Sequence, residues 1–134
     1  MRELVLDASV VLKWFRTEGE RHVNAARALR VEFEAGRAFA FVPGLLFTEI
    51  INVAGRRWRL EATRLEELAA TLPNLGFEVV DADLRRVARW TASGLTAYDA
   101  TYVAVAEQTG AVLVTDDEEI ARAAPQLTTN LGPG

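Results

Sequence analysis

The sequence predicts an α/β domain on a mostly parallel central sheet of four to five strands. Three observations predict it. Short apolar runs alternate with longer segments whose apolar residues recur at helical spacing. The 134 residues, half of them hydrophobic, suit one core and leave no room for two. No internal repeat, low-complexity stretch or linker divides the chain, so residues 1–134 read as a single domain. A domain of this size buries roughly 65–70% of the surface that its unfolded chain exposes, enough to hold without staples.

The elements follow in order. Leu4–Leu6 reads as a strand, and a short helix runs from Ser9 to about Arg16. Glu20–Gly36 places Val23, Ala26, Leu29 and Phe33 on one helical stripe, with Gly36 as its stop. Ala38–Val42 is a second strand, closed by Pro43-Gly44, and Leu45–Trp58 with Ala62–Leu72 forms a helical hairpin. Phe77–Val80 is a third strand and Ala82–Ala92 a helix, which Gly94 breaks before the next helix, Ala97–Thr109. Ala111–Val114 is a fourth strand, Asp117–Ala124 a short helix and Leu127–Asn130 a fifth strand at the edge.

Composition removes several chemistries. With no cysteine there is no disulfide, no thiolate zinc site and no cysteine nucleophile, which fits a reducing cytoplasm. The N-terminal MRELVLDAS has an acid inside its apolar run and no small-residue cleavage site, so it does not read as a signal peptide. No apolar run approaches the roughly 18 residues of a membrane span. No GxxxxGK[ST] or GxGxxG loop supports nucleotide binding. The single histidine, His22, reads as exposed on a surface helix, and no serine-histidine-acid triad is suggested. The net charge of −4 argues weakly against a nucleic-acid partner. Lys13 is the single lysine among 15 basic residues; the arginine bias follows either from genome composition or from a need for planar donors.

Against this background four acidic positions break local rules. Parallel sheets place their ligands at the carboxyl ends of the strands. Asp7 follows the first strand there, in LVLDASVV, and Asp116 and Asp117 follow the fourth, in LVTDDEEI. Glu49 shares an otherwise apolar helical face with Leu46, Ile50 and Val53, and Asp99 opens a helix of small and apolar residues. A charge at any of these places is costly unless something compensates it.

Each position also has a structural explanation. Asp7 suits an N-cap, the acidic run after Thr115 suits a helix dipole, and Thr96-x-x-Asp99 is a passable capping box. Glu49 can sit at the margin of its face with its head in water. Glu118 and Glu119 read as solvated first-turn acids. Together, however, the acids ask for a cation, because clustered carboxylates repel and take up protons unless one is present. Oxygen donors without cysteine point to Mg²⁺ or Mn²⁺ rather than zinc. Such an ion can orient a water as nucleophile and stabilise charge on a phosphoryl group, so no protein base is required.

LVLDASVVLKWF, FTEIINVAGRR and LTAYDATYVAVAEQTGAVLVTDDEEI, in that order and spacing, resemble a PIN-domain ribonuclease of the VapC toxin type. The resemblance spans nearly the whole chain and implies a small three-layer α/β/α sandwich. It implies that Asp7, Glu49, Asp99 and one of Asp116 and Asp117 form an acidic pocket for Mg²⁺ or Mn²⁺. The family's last motif, Thr-x-Asp, selects Asp117, although both positions are acidic here. Ser9 and Thr115 correspond to hydroxyl residues that support the pocket, and capping a following helix is their alternative role. The implied activity is metal-dependent endonucleolytic cleavage of RNA by water, leaving a 5′-phosphate and a 3′-hydroxyl. The implied setting is a toxin–antitoxin pair, with a homodimeric toxin whose antitoxin lays a C-terminal segment across the active site.

With four ligand carboxylates set aside, the rest of the chain is neutral, so the bulk acidity belongs to the pocket. Arg56, Arg57 and Arg59, and Arg85, Arg86 and Arg89, offer phosphate contacts beside Trp58 or Trp90, or else simply solvated helix faces. Trp14 and Phe15 suit core, dimer interface or antitoxin groove equally. A stand-alone PIN nuclease and a non-catalytic binding module are the rival readings. The RNA target is not legible.

Overall fold

The computed structural model describes residues 1–132. Strand β1 (Arg2–Leu6) leads through Asp7 into helix α1 (Ala8–Phe15), followed by α2 (Val23–Glu34) and β2 (Ala38–Val42). The hairpin α3 (Leu45–Arg56) and α4 (Ala62–Thr71) ends in a 3₁₀ turn at Leu72–Asn74. Then come β3 (Glu78–Val79), α5 (Leu84–Ala92), α6 (Ala97–Thr109), β4 (Val112–Thr115), α7 (Glu118–Ala123) and β5 (Thr128–Asn130). The five strands are ordered β3-β2-β1-β4-β5, and every pairing is parallel. Helices cover the sheet as a three-layer α/β/α sandwich.

The order fixes where a ligand can sit. From β1 the chain steps to β2 and β3 on one side, and β4 and β5 lie on the other. The reversal falls between β1 and β4, and the crevice beyond the carboxyl ends of such a pair is where open parallel sheets bind ligands. Leu6 of β1 is paired with Val114 of β4, so Asp7 and Thr115 emerge side by side.

The strands form because their residues suit burial on both faces. Leu4, Val5 and Leu6 are all buried, as a central parallel strand requires. Helix α6 is apolar through its middle and buried there: Ala100 and Tyr102–Ala106 are buried, and it packs on β1, β2 and β4. It ends at Gly110, whose φ of 73° is the left-handed C-terminal stop that glycine adopts without strain. On α1, Trp14 is a core residue, its ring against Phe33 and Phe77 and its indole N–H donated to the Ala26 carbonyl at 2.9 Å.

Several elements are shorter than the sequence predicts, and two of them for a reason the packing shows. The third strand, expected over Phe77–Val80, keeps only Glu78 and Val79, because as an edge strand it pairs only with the last two residues of β2. The second helix, expected from Glu20, starts at Val23, since residues 17–22 form a loop whose polar side chains turn inward toward Lys13 and Asp116.

Candidate metal centre

Asp7 ends the most buried strand and is itself 3% exposed. It occupies the N-cap position of α1, and its carbonyl accepts the Val10 and Val11 amides, but its carboxylate makes no capping bond. Instead the two carboxylate oxygens take two hydroxyls. Ser9 Oγ donates to Oδ1 at 2.5 Å, and Thr115 Oγ1 donates to Oδ2. Each hydroxyl is oriented in turn by an amide of the turn after β4: Asp116 N–H donates to Ser9 Oγ at 3.0 Å and Asp117 N–H to Thr115 Oγ1 at 2.9 Å. Neither Ser9 nor Thr115 caps a helix; both spend their protons on Asp7.

Burial raises the Asp7 carboxyl to about 6, against the pull of its hydrogen bonds and with a contribution from the charge of Asp117. Two more acids are pushed the same way. Glu49, on α3, is half-buried and raised by desolvation and then by Asp99, while a 2.5 Å hydrogen bond from the Tyr102 hydroxyl opposes the rise. Asp99, on the first turn of α6, is raised by burial and then by Asp117 and Glu119, with Thr96 opposing. Thr96 caps that helix by accepting the Asp99 N–H at 3.1 Å. Asp117 caps α7: its Oδ1 accepts the Glu119 and Ile120 amides at 2.8 and 3.2 Å. Asp7, Glu49, Asp99 and Asp117 all line one cavity of about 650 Å³.

Asp116 is not among the residues lining that cavity. Its carboxylate lies 3.2 Å from Lys13 Nζ, 3.5 Å from Arg21 Nε and 2.7 Å from His22 Nδ1. Burial alone would raise its carboxyl, but hydrogen bonds from His22 and Lys13 and the charges of Lys13 and Arg21 outweigh that and hold it below the usual range. The expectation that His22 is simply exposed is therefore corrected: its side chain is 28% exposed and is held by Asp116. The helix stripe hid this, because His22 sits one residue ahead of α2 in a left-handed conformation, φ 57°.

Two participants were missed in the sequence. Tyr102 is the buried phenol three residues beyond Asp99; burial and then the Glu49 charge push its hydroxyl far up, so it stays a donor. A buried phenol in an otherwise apolar helix needs a polar partner, and that signal was available. Lys13 carried the same signal, as the only charge in ASVVLKWF.

The donor set around the cavity is all oxygen, which suits a hard divalent cation. Among the described residues, no three acidic, histidine or cysteine side chains converge closely enough to ligate one ion on their own.

The basic clusters divide. Arg56, Arg57 and Arg59 are exposed, and Trp58 lies under the Arg16 guanidinium at 5.5 Å. Arg85 and Arg89 are exposed, whereas Arg86 approaches Asp83 and Glu107 at 3.5 Å, and Glu107 also accepts the Trp90 indole N–H. Phe15 lines a separate groove of about 520 Å³ with Trp58, Leu60 and Leu68.

An all-parallel sandwich with acids gathered at its switch point defines a class of domains suited to holding a hard cation there. Residues 4–125 match the family model described as PIN domain, and the chain belongs to the PIN domain family. PIN domains are generally nucleases and generally use divalent metals. The crystal structure of PAE2754 from Pyrobaculum aerophilum is similar with a TM-score of 0.68 and 26% identity, over 97% of this chain and 90% of that one. FitAcB from Neisseria gonorrhoeae gives a TM-score of 0.71 and 16% identity, over 96% and 97%. FitAB bound to an IR36 DNA fragment gives 0.63 and 16%, over 96% and 94%. No curated protein sequence matches the chain.

Proposed function

We propose that the protein is a Mg²⁺-dependent endoribonuclease, with Mn²⁺ as an alternative cofactor, and the toxin of a type II toxin–antitoxin pair. One observation carries the nuclease reading. Four carboxylates from four separate parts of the chain line a single cavity at the switch point, and among the described residues no cation of the chain compensates the charges they place on one another. A divalent cation held by these carboxylates would supply the missing charge, lower the pKa of a bound water and stabilise negative charge on a phosphoryl group.

The chain's own residues do the rest. Asp7 and Asp99 are the direct ligands in this reading, with Glu49 and Asp117 holding ordered waters or contributing further oxygens. Ser9 and Thr115 fix the Asp7 carboxylate in one rotamer by donating to both of its oxygens. Tyr102 fixes Glu49 likewise. With all four acids ionised around a cation, one of them can accept a proton from the attacking water. Exposed Arg56, Arg59, Arg85 and Arg89 are available to meet RNA phosphates.

The toxin reading rests on the sequence resemblance to VapC-type proteins and brings with it a homodimer and an inhibiting antitoxin. Expression with and without a candidate antitoxin, followed by mapping of cleaved 5′ ends, tests activity and partner together. The account expects new 5′-phosphate ends that need Mg²⁺, disappear on co-expression and are absent with Asp7→Asn. Cleavage that survives Asp7→Asn and Asp99→Asn refutes it.

A further inference from the structure

Helix α1 carries Ser9 and Lys13 four residues apart, on one face. Both grip the same residue. Ser9 Oγ accepts the Asp116 main-chain N–H at 3.0 Å, and Lys13 Nζ lies 3.2 Å from the Asp116 carboxylate. The turn after β4 is thus docked on α1 at two points of one residue, its amide and its side chain.

Lys13 is 4% exposed and has a second partner, Glu20 Oε1 at 2.8 Å. His22 and Arg21 close on Asp116 from the loop between α1 and α2. A buried ion pair is a poor way to gain stability, since apolar replacements of similar volume often do as well or better. What such a pair does supply is a fixed geometry. A serine hydroxyl rotates freely and has one proton. By accepting the Asp116 amide, Ser9 is left with that proton aimed at Asp7 Oδ1, 2.5 Å away. The amide directs it while its peptide plane is held: the Thr115 carbonyl of that plane accepts the Leu131 N–H at 3.0 Å, and the clamp on the Asp116 side chain holds the same turn from the α1 side.

We propose that Lys13 and Asp116 are positioning residues for the cation site, acting on Asp7 through the Ser9 hydroxyl. The inference rests on reading the Asp7 cavity as a divalent-cation site. It gives Asp116, the first acid of the Asp116-Asp117 pair, a task that is not ligation. It also accounts for a lysine buried in an otherwise apolar helix.

Mn²⁺ binding followed by electron paramagnetic resonance tests it, with melting of the metal-free proteins measured alongside. Asp116→Asn and Lys13→Met are expected to weaken Mn²⁺ by about 10–100-fold, the range for losing a group that orients a metal ligand. Ser9→Ala should do the same, and Ser9→Ala with Asp116→Asn should bind no more weakly than Ser9→Ala alone, because both act along one path. Asp116→Asn keeps the side chain's shape if Lys13→Met fails to fold. If Asp7→Asn loses Mn²⁺ while Asp116→Asn binds like the parent, whatever its melting temperature, the positioning role is wrong and the cation site stands. Multiplying effects of Ser9→Ala and Asp116→Asn also overturn it. A parent protein that binds no Mn²⁺ removes the cation site and this inference together.

Discussion

Asp116 and Asp117 are neighbours in one turn, yet their surroundings have opposite electrostatic sign. Around Asp116 the chain brings Lys13, Arg21 and His22, and its carboxyl is held below the ordinary range. Asp117 faces the cavity of Asp7, Glu49 and Asp99, where it helps to raise the carboxyls of Asp7 and Asp99. Where the fold supplies its own cations, the acid is part of the scaffold. Where it withholds them at the cost of burying a carboxylate, the compensating charge must come from outside.

The largest effect that can break this contrast is on cleavage. Asp7→Asn and Asp99→Asn should each lower the rate by more than about 100-fold, beyond the range for groups that merely orient a ligand. Asp117→Asn belongs with them, and because Asn caps a helix as well as Asp does, it removes the charge and spares α7. If Asp117→Asn proves milder than Asp116→Asn in an Mg²⁺-dependent RNA assay, the two acids have been assigned the wrong way round.

Next in size is pH. In the metal-free protein burial holds the Asp7 carboxyl near 6, above the ordinary aspartate value of about 3.8. The folded state therefore binds the proton first, and folding gains stability as pH falls from about 6 toward 4, by about 3 kcal/mol. Glu49 and Asp99 act in the same direction. Asp116 has the opposite sign: its contribution is present above the ordinary carboxylate range and is lost as pH falls through its lowered value. Thermal melts in chelator should thus show a melting temperature that rises from about pH 7 to about pH 5 and falls below about pH 4. Asp7→Asn should flatten most of the rise, and Asp116→Asn should blunt the acid-side fall.

Cation binding should reverse the first of these trends. At neutral pH, Mg²⁺ or Mn²⁺ at about 100 times its dissociation constant should stabilise the parent by about 2.7 kcal/mol and leave Asp7→Asn nearly unmoved. Differential scanning calorimetry checks it. The smallest effect expected is that of Tyr102→Phe, which strips one hydrogen bond from Glu49 for about 1–3 kcal/mol in melts, with cleavage retained.

The division between scaffold and site also explains what was legible in the sequence. Leu4–Leu6 and Val112–Thr115 declare themselves because a central parallel strand must be apolar. Asp7, Glu49 and Asp99 stand out because each interrupts an apolar strand or helix pattern, whereas the choice of Asp117 over Asp116 rested on the Thr-x-Asp motif of the family it resembles. The clamp on Asp116 did not. Arg21 and His22 are polar residues of a loop, where polarity is expected, and although Lys13 stands out as the only charge in α1, its partners depend on the path of residues 17–22. Edge strands were read too long for a related reason: their length is set by the partner strand, and β2 offers β3 only two residues.

The central claim is that the Asp7 cavity gathers its acids around a divalent cation. Crystals grown with Mn²⁺ and measured for anomalous scattering test it most directly. The account predicts a peak inside the cavity, within bonding distance of Asp7 or Asp99 and away from Asp116. A Mn²⁺-saturated crystal with no peak there, or with its peak on Asp116, would contradict it.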